Sequence, residues 1–169
     1  SQVPELVTKE TFKNSLKVRQ AISKYVTKIP KHLKEDYESL LDDKSYLTIE
    51  SALYNLWTSF PDKRSEYLFK TRDVVGFSDK NVRLLWIVLN LNTPFYEADN
   101  KQELYNELVS YTSETYNADL RINAFQYLSL IKACNADCKA NLETAKSHHN
   151  WKLVKFAKQY FEKLQQNKN

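Results

Sequence analysis

The chain has 169 residues, a length typical of one domain, and such a fold buries about 70% of the surface that the unfolded chain exposes. A single glycine and four prolines leave few positions for tight turns or positive φ angles, which argues against an all-β fold. The net charge of +4 comes from 25 basic and 21 acidic residues that are interleaved along the chain, whereas a nucleic-acid-binding protein is expected to cluster its basic residues.

Apolar residues recur at helical spacing along almost the whole chain, and prolines or cap residues divide them into about nine segments. The first segment runs from about Lys9 to Ile29 and ends before Pro30. Its apolar positions are Phe12, Leu16, Val18, Ile22 and Tyr25. A short second segment carries Leu33, Tyr37, Leu40 and Leu41 on one face.

Polar and helix-breaking residues mark the ends of the third and fourth helices. Ser45 is a candidate N-cap of the third helix, and Pro61 ends it. The fourth helix starts near Asp62, and the only glycine, Gly76, stands where a left-handed C-terminal cap is expected.

Five further helices come after these. Ser78 or Asp79 is expected to cap the fifth, Asp119 precedes the seventh, Asp137 is a candidate cap of the eighth, and Asn150 is a candidate cap of the ninth. The sixth carries Leu104, Leu108 and Tyr111. The chain holds no run of 18 apolar residues, so we expect no membrane span.

The helices show a repeat. Short connections between consecutive amphipathic helices force antiparallel neighbours, so the order predicts helix hairpins stacked in a row. A shared core position in the first, third, fifth, seventh and ninth helices is occupied by Ile22, Ala52, Trp86, Ala124 and Ala157. The intervals of 30, 34, 38 and 33 residues bracket the period of two-helix repeats. We therefore predict an all-α fold of about nine helices, a HEAT/ARM-like α-solenoid that forms a single helical-repeat domain over residues 1–169.

Basic residues recur in the repeat as well. The positions three residues before the shared core position are Arg19, Ile49, Arg83, Arg121 and Val154. The plainer interpretation of the three arginines is a solvated helix face or a ladder of salt bridges to neighbouring acids. The alternative is a concave surface that presents arginine to a carboxylate.

The sequence shows no catalytic motif. His148 and His149 are adjacent and would diverge by about 100° on a helix, so we interpret them as a loop or helix-start pair and not as metal ligands. Cys134 and Cys138 lack two further ligands, and we interpret them as buried thiols. One glycine is too few for a glycine-rich phosphate-binding loop. We predict no catalytic and no metal-binding residue.

Several stretches carry a resemblance to a known family. They read LLDDKSYLTIESALYNL at 40–56, FPDKRSEYL at 60–68 and NVRLLWIVLNL at 81–91. Together they resemble the C-terminal helical domain of the gluzincin zinc aminopeptidases, the family of membrane alanyl aminopeptidase and leukotriene hydrolase. The later stretches YTSETYNADLRINAFQYL at 111–128 and NLETAKSHHNWKLVKFAKQYF at 141–161 are similar to the bacterial branch, so the resemblance covers most of the chain.

The resemblance implies a longer enzyme in which a β-rich domain and a thermolysin-like catalytic domain precede these helices. This chain would then be the non-catalytic C-terminal domain of a zinc metallo-aminopeptidase, which caps the active-site cleft and controls substrate access. The zinc and the removal of N-terminal residues belong to the absent catalytic domain. The implied partners are that domain of the same polypeptide and the peptide substrate at the cleft. Arg83 and Arg121 are the candidate substrate contacts, because basic residues of the leukotriene-hydrolase branch approach a substrate carboxylate.

Two other hypotheses belong to different classes. One is a free-standing helical-repeat scaffold that binds a protein or peptide on its concave face. The start at Ser1, without an initiator Met, favours a fragment of a longer protein over this scaffold. The other is a helix bundle that binds a membrane surface or nucleic acid, which the modest and dispersed charge disfavours. Cytoplasmic and periplasmic or exported locations are both compatible with the sequence.

Overall fold

The structure, a computed structural model, describes residues 7–93 and 100–166, and helices dominate both ranges. Ten α-helices and no β-strand occur within these residues, so the all-α prediction is confirmed and the predicted number of helices is close. The helices are α1 Lys9–Phe12, α2 Leu16–Tyr25, α3 Lys34–Glu38, α4 Tyr46–Ser59, α5 Arg64–Thr71, α6 Asn81–Leu91, α7 Lys101–Ser110, α8 Ala118–Leu130, α9 Ala136–Ala145 and α10 Trp151–Gln166. Short 3₁₀-helices occupy Lys31–Leu33, Ser39–Asp42 and Pro61–Lys63.

The chain divides into two compact units. The N-terminal unit contains α1 to α6, and the C-terminal unit contains α7 to α10 together with Ser78–Lys80. No helix in the two described ranges is both long enough and apolar enough to cross a membrane. A single continuous solenoid over the whole chain stays a prediction.

The shared core positions of the repeat are buried in both units. In the N-terminal unit α4 contacts α2 and α6, and α3 and α5 also pack on α4. Ile22, Ala52 and Trp86 are buried at these contacts. In the C-terminal unit α10 contacts α8 and α9, and Ala124 and Ala157 have no exposed surface. Alanine occupies three of the five shared core positions, and its small side chain lets neighbouring helices approach closely.

Two of the predicted N-caps are confirmed, whereas α8 and α9 begin slightly before the acids that the sequence pattern indicated. Ser45 Oγ accepts from the backbone N–H of Thr48 at 3.4 Å at the start of α4, and Asn150 Oδ1 accepts from the first-turn N–H groups of α10. Asn117 and Asn135 cap α8 and α9, each accepting a backbone N–H at 2.9 Å. The sequence pattern placed these two helix starts about two residues late, at the acids of the first turn, where carboxylates suit the positive end of the helix dipole.

The predicted helix from Lys9 to Ile29 is two helices. Ser15, the N-cap of α2, adopts a ψ of 157°, and this non-helical conformation separates α2 from α1. α2 stops at Tyr25, whose side chain is 73% exposed although the pattern placed it on the apolar face. Tyr25 is the last residue of the helix, so its burial depends on the path of the chain after α2 and not on helical period.

Gly76 adopts a left-handed conformation but does not cap α5. Its φ is +101°, while α5 already ends at Thr71, so Gly76 lies in the loop before α6. The Asn81 side chain folds back into this loop, and its Oδ1 accepts the backbone N–H of Phe77 at 3.1 Å. The loop therefore needs a residue without a Cβ at position 76.

The expected caps Ser78 and Asp79 do not cap α6, because that helix begins two residues later at Asn81. Their polar atoms bond instead within the C-terminal unit. The Ser78 carbonyl accepts from Asn117 at 3.4 Å, and Asp79 Oδ2 accepts from Asn123 at 3.1 Å. These bonds explain why Ser78–Lys80 belongs to the C-terminal unit.

Replacing Gly76 with alanine is expected to lower the free energy of unfolding by about 1–3 kcal/mol. An added Cβ would lie 2.2 Å from Asn81 Oδ1, so both the backbone conformation and the Asn81 side chain resist the change. Urea unfolding measures the effect, with Ser65→Ala on the exposed side of α5 as the control, expected within about 0.5 kcal/mol of wild type. Equal midpoints for Gly76→Ala and wild type would contradict the argument.

Candidate functional site

Arg83, one candidate substrate contact, lies near the start of α6 in the N-terminal unit and is half-buried. Its guanidinium stacks over the Trp86 ring, with 4.6 Å between the guanidinium carbon and the ring centroid. Nη1 also donates to the Arg72 carbonyl at 3.3 Å. The side chain is therefore held between Trp86 on α6 and the end of α5.

Arg121, the other candidate, is fully buried in the C-terminal unit. Its Nε donates to the Thr112 carbonyl at 2.9 Å, and Nη2 donates to the Asn141 carbonyl at 3.4 Å. Burial lowers the pKa of Arg121, while the charge of Glu114 opposes this shift. The guanidinium thus connects the turn after α7 to α9. A contact between Arg121 and a substrate carboxylate stays a prediction.

Arg19 behaves in a third way, although it shares the repeat position with Arg83 and Arg121. Its Nε donates to Asp43 Oδ2 at 2.5 Å, and this hydrogen bond raises the pKa of Arg19. A salt bridge to a neighbouring acid therefore exists at this position. The arginines of the repeat are held by a carboxylate, an aromatic ring or backbone carbonyls, and the structure describes them in two separate units.

Cys134 and Cys138 form a disulfide, so the interpretation as buried thiols was wrong. Asn135 caps α9 between them, and the resulting turn brings their Cα atoms to 5.3 Å, within the range that a disulfide requires. The Tyr105 hydroxyl holds the same turn, donating to the Ala133 carbonyl at 3.1 Å and accepting from the Asn135 N–H at 3.3 Å. The spacing of four residues across a helix start was the signal in the sequence.

Reduction of this disulfide is expected to lower the free energy of unfolding by about 2 kcal/mol, because the closed loop is short and restricts the unfolded chain only modestly. Urea unfolding with and without dithiothreitol measures the difference. The double variant Cys134→Ser/Cys138→Ser is the control and is expected not to respond to the reductant. A wild-type midpoint that does not respond either would contradict the prediction.

His148 and His149 lie in the loop between α9 and α10, as predicted for a loop pair. Their rings are 4.0 Å apart, and His148 Nδ1 accepts the Asn150 N–H at 3.0 Å. Partial burial lowers the pKa of His148, and the charges of His149 and Arg121 act in the same direction. In residues 7–93 and 100–166 no three His, Cys, Asp or Glu side chains are grouped in a way that could hold a metal ion.

The N-terminal unit has a groove of about 470 Å³ between α2 and α4. Its lining residues are Lys17, Gln20, Ala21, Lys24, Leu47 and Ser51, and we call it the α2–α4 groove. Gln20 Nε2 donates to Ser45 Oγ at 2.8 Å and so fixes α2 against the start of α4. Leu47 is 53% exposed, which leaves an apolar side chain at the wall of a basic groove.

A second groove of about 230 Å³ lies between α8 and α10 in the C-terminal unit. Its lining residues are Gln126, Ser129, Phe156, Gln159, Tyr160 and Lys163, and we call it the α8–α10 groove. Two carboxamides and two aromatic rings give it donors, acceptors and apolar surface together. Sequence reasoning missed both grooves because it followed the buried face of each helix, whereas the grooves are lined mainly by residues outside that face, with the buried Tyr160 as the exception.

Comparison with known proteins adds no relative: no protein-family model, no curated protein and no solved structure matches this chain. The candidate functional surfaces of this chain are accordingly defined by its own geometry: the α2–α4 groove in the N-terminal unit and the α8–α10 groove in the C-terminal unit.

Proposed function

We propose that this chain is the non-catalytic C-terminal helical domain of a zinc metallo-aminopeptidase, in which it caps the active-site cleft and controls which peptides enter. The observation that supports this proposal is the resemblance of residues 40–56, 60–68 and 81–91 to that domain. These stretches contain α4, α5 and α6, which pack on one another in the N-terminal unit. The residues of these three stretches therefore form one packed substructure of the N-terminal unit.

The zinc of the proposed enzyme belongs to its catalytic domain. The part of this chain that the structure describes offers no set of three ligands, and its two cysteines are joined to each other. The contribution of this domain is then steric and electrostatic. Arg83 is the candidate substrate contact nearer to solvent, and the role proposed for Arg121 is to hold the helices around it in place.

The first experiment tests catalysis by the separate chain. Purified chain incubated with zinc and aminoacyl anilides is expected to release no aniline product above the level of a heat-denatured sample. Measurable turnover that zinc chelation abolishes would overturn the proposal. The native reading frame supplies the second test, since the proposal requires two His one helical turn apart, with a neighbouring Glu, upstream of Ser1.

In the full-length enzyme, Arg83→Ala is expected to raise KM for peptide substrates with little change in kcat, because a binding contact is lost and the chemistry is not. Arg72→Ala, which removes a nearby exposed guanidinium, is the matched control. An unchanged KM for Arg83→Ala would remove Arg83 from the proposed substrate contacts.

The alternative proposal is a free-standing helical scaffold that binds a protein or peptide partner. The two exposed grooves favour it, because each offers an apolar or aromatic side chain beside charged or hydrogen-bonding groups. The length of the native reading frame separates the two proposals. A reading frame of roughly the length of one domain supports the scaffold, since domains typically have about 50–250 residues.

We also propose that the protein works outside a reducing cytosol. The support is the Cys134–Cys138 disulfide, since disulfides persist mainly in exported proteins. Alkylation of the native protein in cell lysate under denaturing conditions tests this. Protection of both cysteines until reductant is added supports export, and full alkylation without reductant would refute it.

A further inference from the structure

The α2–α4 groove combines space, an apolar wall and two positive charges. Ala21 on α2 and Ser51 on α4 are small, so no side chain fills the groove between them. Lys17 and Lys24 lie on the same side of α2, two helical turns and about 10 Å apart. Leu47 supplies the exposed apolar contact.

The charge of the groove is not balanced within it. Its lining residues include no Asp or Glu. In the described ranges of the chain neither Lys17 nor Lys24 forms a salt bridge, and the ammonium group of Lys24 lies 5.4 Å from the centroid of the Tyr25 ring. By contrast, Arg19 on the same helix is paired with Asp43.

The two grooves use the same face of the repeat. In the α2–α4 groove, Lys17 lies five residues before the shared core position Ile22, and Leu47 lies five residues before Ala52. Ala21 and Ser51 lie one residue before these core positions, and Lys24 lies two residues after Ile22. In the α8–α10 groove, Phe156 lies one residue before the core position Ala157, and Lys163 lies six residues after it. Gln126 and Gln159 lie two residues after Ala124 and Ala157. These nine of the twelve lining residues follow one another at helical spacing, while Gln20, Ser129 and Tyr160 lie at other positions, so in each unit separately the groove uses largely the same helix face.

From this geometry we propose that the α2–α4 groove binds an acidic, extended segment of a partner protein, with one Asp or Glu side chain at each lysine and an apolar side chain against Leu47. Residues i, i+2 and i+4 of an extended segment point to one side, and its outer two side chains are about 13 Å apart. This span matches the two lysines once their flexible side chains are included. The proposal concerns internal side chains of the partner and does not depend on a catalytic domain.

The test uses a capped twelve-residue peptide with Glu, Leu and Glu at alternating central positions, and a second peptide with Lys in place of both Glu residues. Both ends are blocked, so no terminal carboxylate contributes. Backbone NMR of the ¹⁵N-labelled chain is recorded with up to about 1 mM peptide. The Glu peptide is expected to shift amide signals of α2 and α4, and the shifts are expected to weaken as salt is raised.

Charge reversal provides the matched variants. Lys17→Glu/Lys24→Glu is expected to weaken binding of the Glu peptide by about tenfold and to gain binding of the Lys peptide. Lys31→Glu/Lys139→Glu makes the same change in net charge on exposed lysines outside the groove and is expected to bind the Glu peptide with only a small loss. Circular dichroism of each variant confirms that the helices are retained.

Each of the following results would overturn the proposal: no shifts with the Glu peptide, shifts that map to α10 instead of α2 and α4, equal binding of the Glu and Lys peptides, or equal weakening by the two double variants. A single-stranded DNA with the same net charge as the Glu peptide is tested in the same NMR experiment. Stronger α2–α4 shifts with DNA than with the Glu peptide would mean that the partner is a nucleic acid, and would also overturn it. None of these outcomes bears on the aminopeptidase proposal, whose tests use turnover and the native reading frame.

Discussion

Replacing Arg121 with alanine is expected to lower the free energy of unfolding by about 3–5 kcal/mol. The side chain has no exposed surface, so its removal leaves a cavity in the C-terminal unit. The same change removes the guanidinium donor of the Thr112 carbonyl oxygen, and a buried acceptor without a partner is costly, whereas the Asn141 carbonyl keeps the Thr144 hydroxyl as a donor at 3.0 Å. Urea unfolding followed by far-ultraviolet circular dichroism measures the loss.

Two further variants separate the causes of that loss. Arg121→Lys keeps the charge but not the planar set of donors, so it is expected to recover only part of the stability. Arg72→Ala removes an exposed guanidinium and is expected to change stability by about 0.5 kcal/mol or less. If Arg121→Ala proved as mild as Arg72→Ala, the buried arginine would not be the structural tie that its hydrogen bonds indicate.

Replacing Tyr37 with alanine is expected to lower the free energy of unfolding of the N-terminal unit by a similar amount, about 3–5 kcal/mol. Tyr37 on α3 is completely buried, and its hydroxyl shares its one proton between the carbonyls of Ser23 and Val26, at 3.1 and 3.0 Å. Asn55 Nδ2 on α4 donates to the same hydroxyl at 3.0 Å. One side chain therefore joins α3 to α4 and to the end of α2.

Tyr37→Phe isolates the hydroxyl from the ring. It keeps most of the buried volume but leaves the Val26 carbonyl without the hydroxyl donor, and we expect a loss of about 1–3 kcal/mol in urea unfolding. Tyr54→Phe is the matched control, because the Tyr54 ring is 51% exposed on α4. A loss with Tyr37→Phe no larger than with Tyr54→Phe would contradict the network.

The same hydroxyl predicts a response to alkaline pH. Burial raises the pKa of Tyr37 to about 12, although hydrogen bonding from Asn55 opposes the shift. Because the folded pKa lies above the unfolded value of about 10, the neutral phenol contributes its full stability below pH 10 and loses it as the pH rises towards 12. The difference in stability between wild type and Tyr37→Phe is therefore expected to shrink by roughly 2–3 kcal/mol over this interval. A constant difference from pH 8 to pH 12, measured by urea unfolding, would contradict the assignment.

Local patterns in the sequence were enough to predict the helices and much of their buried face. Ser45 and Asn150 cap the helices that the sequence assigned to them, because an N-cap bond spans only two or three residues. Ala52, Ala124 and Ala157 are buried as the repeat predicts, since helical period alone places them on the core side. The function remains a proposal, because it depends on a resemblance and not on a chemical motif in these residues.

Tertiary packing decided the features that local patterns could not. Arg121 occupies the same repeat position as Arg19, yet it is buried because Thr112 and Asn141, 9 and 20 residues away, supply carbonyls for its guanidinium. The disulfide formed because the cap of α9 turns Cys134 towards Cys138. The α2–α4 groove exists because small residues on α2 and α4 face each other once those helices pack. By itself the sequence determined which residues form helices and which helix faces are apolar, because those depend on near neighbours along the chain. Only the tertiary structure determined which polar groups are enclosed and which faces stay open, because those depend on residues brought together from distant segments.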